Sequence, residues 1–394
     1  MTRPAPGRPR LCFVADNAFG MLSGRPTGHS GGVERYQAIM ARWFANRGYD
    51  VSMVTWDEGQ VEERVAGVRI VKRCSRDAGL PGLRFFHPRW SSLSRALAAA
   101  DADVYQYAST NRGLGQAVLF CRRRRRASVF LLMNNHGADA ALVAQRVWRD
   151  RAFYLYGLRR VDQVVTQTLD QQRMLHEGFG VGSVCFPMPG GPLADGEYTP
   201  PPAPDPGTAR VLWVGRVAEV KRLECMLAVA EACPELRFDV VGAPNAPSVY
   251  ADNVLKRAAA VPNLTLHGRV SDNARLAALY RAATVFCCTS SIEGFPNTFL
   301  EAWGAGLPIV SSFDPDGVIA RLGLGIVAHE REAFVGGLRG LIGSPERYRE
   351  MSERCRAHYL QNHHLDAVMP RFETLYLELH ASHSRRPGSP VVAG

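Results

Sequence analysis

A rhythm that stops and then restarts constrains this chain more than any other feature. Short apolar runs suited to strands fall at residues 11–15, 51–56, 68–71, 104–108, 129–133, 163–168 and 184–186. Helical patterns lie between several of them, most clearly 33–46 and 91–100. In the first, Ile39, Met40, Trp43 and Phe44 recur at the spacing of one buried helical face. Alternating strand and helix predicts a parallel sheet covered by helices. Residues 187–206 then read PMPGGPLADGEYTPPPAPDP, which suits neither helix nor central strand. Beyond it the rhythm resumes, with runs at 211–214, 238–241, 264–266, 285–288, 309–311 and 326–328. The expected architecture is α/β with two Rossmann-like domains, 1–190 and 209–365, joined by a stiff linker at 191–208. A last helix at 366–381 and a disordered tail at 382–394 complete it.

The bulk numbers agree with two cores. Of 394 residues, 46% are apolar and 21% charged, which excludes global disorder. No apolar run approaches the ~18 residues of a membrane span, and the first one ends at Asp16, too short for a signal peptide. A cytoplasmic protein is expected. Nine cysteines without a metal-type CxxC pair, several inside strand-like runs, read as buried thiols. The net charge of +10 belongs to the first half: residues 1–190 carry 27 basic and 15 acidic side chains, the remainder 20 and 22.

The residues that carry chemistry follow strands. Residues 291–308, SIEGFPNTFLEAWGAGLP, leave an apolar strand and open a helix. Pro296 suits the first helical turn and Asn297 or Thr298 a cap, so backbone N–H groups from Gly294 to Thr298 form an anion site. Glu293 and Glu301, eight residues apart, read as cleft-facing acceptors of hydrogen bonds from sugar hydroxyls, or as two solvated glutamates on a capped surface helix. In residues 211–222, VLWVGRVAEVKR, Gly215 permits a tight exit from a strand. Arg216 and Lys221 then read either as a phosphate clamp or as two solvated cations. In GRPTGHSGGVERY, Gly31 and Gly32 allow close backbone approach at a helix N-terminus, or belong to a surface loop. His136 sits at a strand's carboxyl end, where ligand contact and a structural role are both open. No acidic cluster has convincing metal spacing; Asp314-Pro315-Asp316-Gly317 reads as a turn.

Together, Glu293-x7-Glu301, Arg216-x4-Lys221 and the Gly31-Gly32-Val33-Glu34 loop resemble the retaining glycosyltransferases of family 4, over nearly the whole chain. The resemblance implies the GT-B fold and a nucleoside-diphosphate sugar as co-substrate, with no cofactor and no metal. It implies that Arg216 and Lys221 hold the donor diphosphate, Glu301 the ribose and Glu293 the transferred sugar. Gly294, Phe295, Pro296 and Asn297 would line the sugar and phosphate pocket. Gly268, Arg269 and Val270 match the place of the base, Gly31 and Gly32 approach the phosphate, and His136 contacts the donor sugar. The last helix would cross back to the first domain. One departure stands out: Arg222 replaces the glycine that usually follows the lysine.

The implied acceptor is a sugar, a glycolipid or a lipid-linked molecule in polysaccharide or glycolipid assembly. The basic first half, with LRFFHPRW at 83–90 and the run Arg122–Arg126, suggests an anionic membrane surface as a partner, or else a solvated arginine-rich face. Nucleic acid is not an expected partner, because aromatic and basic residues do not interleave around that run. A catalytically silent nucleotide-sugar binder and a basic nucleic-acid-binding protein are the rival readings.

Overall fold

The computed structural model describes residues 7–25, 31–80, 85–191, 198–201 and 203–385. It divides the chain into two compact units. The first runs to Phe186 and takes up the chain again from Met369; the second is Pro187–Val368.

The first unit is built on eight strands: β1 Leu11–Val14, β2 Val51–Thr55, β3 Arg64–Val65, β4 Val68–Lys72, β5 Val104–Tyr107, β6 Ala127–Leu131, β7 Gln163–Thr166 and β8 Val184–Cys185. They lie in the order β3-β4-β2-β1-β5-β6-β7-β8. Every pairing is parallel except β3 with β4; Leu11 registers with Val51 on one side and Val104 on the other. Strands β1, β2, β5 and β6 are buried along their whole length, as a parallel sheet covered on both faces requires. The pairing of β4 with a two-residue β3 was not expected. Its turn is Ala66-Gly67, both at positive φ (47° and 79°), and Ala is a poor sequence signal for such a turn.

Helices Gly113–Arg124 and Trp148–Arg160 cross glycine on glycine. A Cβ on Gly115 would lie 2.1 Å from the Phe153 carbonyl oxygen, and one on Gly157 would lie 2.7 Å from the Gly115 nitrogen. The final helix, Leu365–Ser384, passes from the second unit into the first, and Pro370 removes a backbone donor just past that crossing. Within the first unit Phe372 packs edge-on against Phe186 (5.0 Å) and Tyr36 (6.5 Å). Tyr49 donates to Glu373 (2.6 Å), and the buried Tyr376 hydroxyl bonds Gln106.

The second unit has six strands: β9 Arg210–Val214, β10 Arg237–Val241, β11 Leu264–Gly268, β12 Val285–Cys288, β13 Ile309–Ser311 and β14 Gly325–Val327. All pairings are parallel, in the order β11-β10-β9-β12-β13-β14. The order reverses between β9 and β12, so the loops leaving those two strands flank the crevice where open α/β sheets bind ligands.

The helix expected to stop at 381 continues to Ser384, so residues 382–384 are helical rather than disordered. Residues 386–394 of that tail, and 192–197 and 202 of the expected linker, lie outside the described residues. None of the nine cysteines forms a disulfide. Among the described residues no helix is long and apolar enough to cross a membrane.

Candidate active site

The loops leaving β9 and β12 are tied to each other. The Trp213 indole N–H donates to Thr289 Oγ1 (3.1 Å), and the Thr289 hydroxyl donates to the Lys221 carbonyl (2.7 Å). The Ser291 backbone N–H donates to the Val220 carbonyl (2.9 Å). These bonds place Lys221, at the end of the short turn Glu219–Lys221, opposite Glu293. The two side chains form an ion pair and are only 21% and 15% exposed. Removing either partner would leave a mostly buried charge without compensation. Arg216 is exposed at the start of the same loop.

Arg222 adopts φ 49°, ψ 51°, the left-handed region that favours glycine, and helix Leu223–Ala232 begins immediately after it. The arginine therefore takes the conformation that a glycine would adopt without strain.

Beyond Glu293 the chain enters helix Asn297–Gly304. Pro296 is the N-cap, one residue earlier than expected, and no side chain caps this end; the expected cap from Asn297 or Thr298 is absent because the helix starts at Asn297 itself. A helix start without a side-chain cap is an arrangement that attracts an anion. The Phe295 ring turns away to pack against Trp303 (6.1 Å) and His363 (5.3 Å), anchoring the loop. His363 is buried and donates from Nδ1 to the Met188 carbonyl (2.8 Å). Burial pushes its pKa down to about 3, and that of His358 beside it to about 4, so both stay neutral. Glu301 lies deeper than a cleft-facing acceptor of sugar hydroxyls was expected to lie: it is 4% exposed and accepts a 2.6 Å hydrogen bond from the Tyr280 hydroxyl.

Strands β9, β10 and β11 lead into glycines that lie side by side. A Cβ on Gly242 would come within 1.8 Å of the Gly215 carbonyl oxygen, and the Gly242 N–H donates to Gly268 (2.8 Å). Arg269 is exposed and donates to the Pro244 carbonyl (3.2 Å); Val270 is half-buried beside it. Arg216, Lys221, Gly268, Arg269, Val270, Glu293 to Asn297 and Glu301 thus all belong to the carboxyl-end side of the second sheet. Sequence reasoning missed Gly242, Tyr280 and Thr289. For Gly242 the signal was present, a glycine directly after an apolar strand; for Tyr280 and Thr289 only the tertiary contact reveals the role.

Asp314 is tied to the start of helix Val318–Leu322. Its two oxygens accept from the N–H groups of Ile319 (2.7 Å) and Ala320 (3.1 Å). No group of three potential metal-binding side chains occurs among the described residues.

The remaining candidates lie in the first unit. His136 is exposed in the turn Asn135–Gly137 that follows β6. Its neighbours are anchored: Tyr154 donates to the Gly137 carbonyl (2.8 Å), and Gln171 donates to Asn135 (3.0 Å). Gly31 is the N-cap of helix Gly32–Asn46, and both glycines are exposed. The Glu34 carboxylate folds back over Gly31, within 2.2 Å of where a Cβ would be. Residues 26–30 of that loop lie outside the described residues.

With this geometry in place, two family models match the chain. One, described as "Glycosyltransferase Family 4", covers residues 30–185, and the other, "Glycosyl transferases group 1", covers residues 208–343. The chain belongs to glycosyltransferase family 4. The family 4 chain resembles a D-inositol 3-phosphate glycosyltransferase of Rhodococcus erythropolis, 28% identical over 220 residues, 50% of this chain and 49% of that protein. It also resembles a UDP-N-acetylglucosamine–peptide N-acetylglucosaminyltransferase GtfA subunit of Streptococcus agalactiae, at 26% over 216 residues, 52% of this chain and 41% of that one. The chain spans about half the length of the curated relatives it matches. Its fold is GT-B. The sucrose-phosphate synthase of Thermosynechococcus elongatus superposes with a TM-score of 0.75 at 18% identity, over 95% of this chain and 100% of that one. Anabaena HepE, solved in complex with UDP and glucose, gives 0.70 at 14%, over 93% and 99%.

Proposed function

We propose that this family 4 chain is a retaining glycosyltransferase that moves a sugar from a nucleoside-diphosphate sugar to an acceptor in polysaccharide or glycolipid assembly. The observation that carries the reading is the Lys221–Glu293 pair next to the uncapped N-terminus of helix Asn297–Gly304, at the strand-order reversal of the second sheet. Breaking a sugar–phosphate bond builds negative charge on the departing diphosphate. Lys221, Arg216 and the first backbone N–H groups of that helix supply donors for that charge. Glu293 holds the ammonium and accepts from the transferred sugar's hydroxyls. Attack occurs on the face that the diphosphate leaves, and the departing phosphate takes the acceptor's proton. No carboxylate nucleophile and no metal are required, since the leaving group's charge meets cations of the chain itself.

The acceptor side belongs to the basic first unit. There Phe86, Val147 and Trp148 are 65%, 65% and 78% exposed, near Arg149, whose guanidinium lies over Phe85 (4.2 Å). Phe85 itself is buried, and Leu83 and Arg84 lie outside the described residues. Exposed aromatics among arginines suit a lipid-linked acceptor at an anionic surface.

The test is a thermal-shift screen of nucleotide sugars, followed by calorimetry and transfer assays in excess chelator. One nucleoside diphosphate and its sugar should bind, Lys221→Ala and Arg216→Ala should each weaken binding by about 1.5–3 kcal/mol, and NMR of the product should show the donor's anomeric configuration kept. Unchanged diphosphate affinity in both variants sinks the site; an inverted product or a need for added metal sinks the mechanism.

A further inference from the structure

We propose that Tyr280 is a positioning residue for nucleotide recognition, acting through the carboxylate of Glu301. The inference deepens the reading above and rests on it.

Tyr280 lies in the last turn of helix Asn273–Ala282 and is 2% exposed. Its ring stacks on Phe286 of β12, with centroids 6.0 Å apart and planes 23° apart. That packing leaves the hydroxyl little freedom, and it donates to Glu301 Oε2 at 2.6 Å, the short distance of a hydrogen bond to a carboxylate. Glu301 is itself 4% exposed, between the buried Leu300 and Ala302 of helix Asn297–Gly304.

A carboxylate at such a position is costly for folding, and an apolar side chain of similar size would fill the space at lower cost. In the reading above, its polar ligand is the ribose of the donor nucleotide, which an apolar side chain could not hold. A pair of hydroxyls on adjacent ribose carbons is a directional ligand, so the carboxylate must hold one rotamer and one plane. The bond from Tyr280 to Oε2 supplies that constraint from a second helix, 21 residues away in sequence.

The experiment uses the full chain. Uridine, guanosine and adenosine diphosphates are titrated by calorimetry, and the one that binds is compared with its 2′,3′-dideoxy counterpart. The unaltered chain should prefer the ribose form. Tyr280→Phe, which keeps the ring and its stacking, should lose about tenfold in affinity for the ribose form and nothing for the dideoxy form. In transfer assays its KM for the donor should rise while kcat stays within about twofold. Glu301→Gln should abolish the preference, and adding Tyr280→Phe to it should cost nothing further. Equal loss for both nucleotide forms, additive losses in the double variant, or an unchanged ribose preference overturns the assignment of Tyr280. If Tyr280→Phe fails to fold, the single Glu301→Gln comparison decides: an undiminished ribose preference there overturns the proposal. If the unaltered chain binds none of the three diphosphates, the donor reading falls, and this inference with it.

Discussion

At the scale of single residues, Arg222 is one of five described non-glycine residues held at a positive φ. A side chain in the left-handed region costs roughly 1–2 kcal/mol, partly offset in a glycine variant by the greater freedom of its unfolded chain. Arg222→Gly should therefore raise stability by about 0.5–1 kcal/mol, read as a higher urea midpoint with an unchanged slope. A lower midpoint would mean that the arginine side chain contributes more than its backbone costs. The sequence showed that position 222 was unusual but not why, because φ is invisible until the short turn Glu219–Lys221 is in place. Glu293 and Lys221 were legible for the opposite reason: both follow apolar strands, and the chemistry of a cation and a carboxylate there needs no tertiary detail. Their pairing with each other was not legible, since 72 residues separate them. The depth of Glu301 was hidden in the same way, because helical spacing reports a face but not what packs on it.

At the scale of elements, apolar runs located thirteen of the fourteen strands among the described residues, and the miss is instructive. Strand β3 is Arg64–Val65, an exposed arginine and a half-buried valine, so no apolar run marks it. Helix contacts were less legible than strands, because sequence does not say which glycines face which backbone. The crossing of helices Gly113–Arg124 and Trp148–Arg160 is the clearest case. A methyl group at Gly115 meets backbone that cannot rotate away, so Gly115→Ala and Gly157→Ala should each cost about 1–3 kcal/mol. Hydrogen exchange would localise the effect: protection should fall across the first unit and persist in β9 to β14. Protection lost equally in both units, or unchanged in the first, would contradict the crossing.

At the scale of the molecule, two properties follow from where charge is and is not tolerated. Burial holds His363 at about 3 and His358 at about 4, against about 6.5 in an unfolded chain. Above pH 6.5 both are neutral folded or unfolded, and their contribution to stability is complete. As pH falls, the unfolded chain takes up protons that the folded chain refuses, so stability drops by up to about 1.4 kcal/mol per pH unit for each histidine. The loss stops growing near pH 4 for His358 and near pH 3 for His363. Urea midpoints should fall steadily from pH 6.5 to 4, and His363→Gln should flatten the slope; a flat profile in the unaltered chain would show that these imidazoles are open to solvent. The second property is the basic first unit. Vesicles containing phosphatidylglycerol should sediment the chain at low salt better than neutral vesicles do, and Trp148→Ser should weaken capture; equal capture by both vesicle types argues for a soluble acceptor. The path of the chain has one more consequence, for how the protein is made. Residues 187–368 form a continuous unit and can fold as soon as they leave the ribosome. The first unit begins synthesis earlier but must wait for Phe372, Glu373 and Tyr376, which fill its core and reach Tyr49 and Gln106. The half that is translated first is therefore completed last, and until then its unfinished core is exposed to chaperones and proteases.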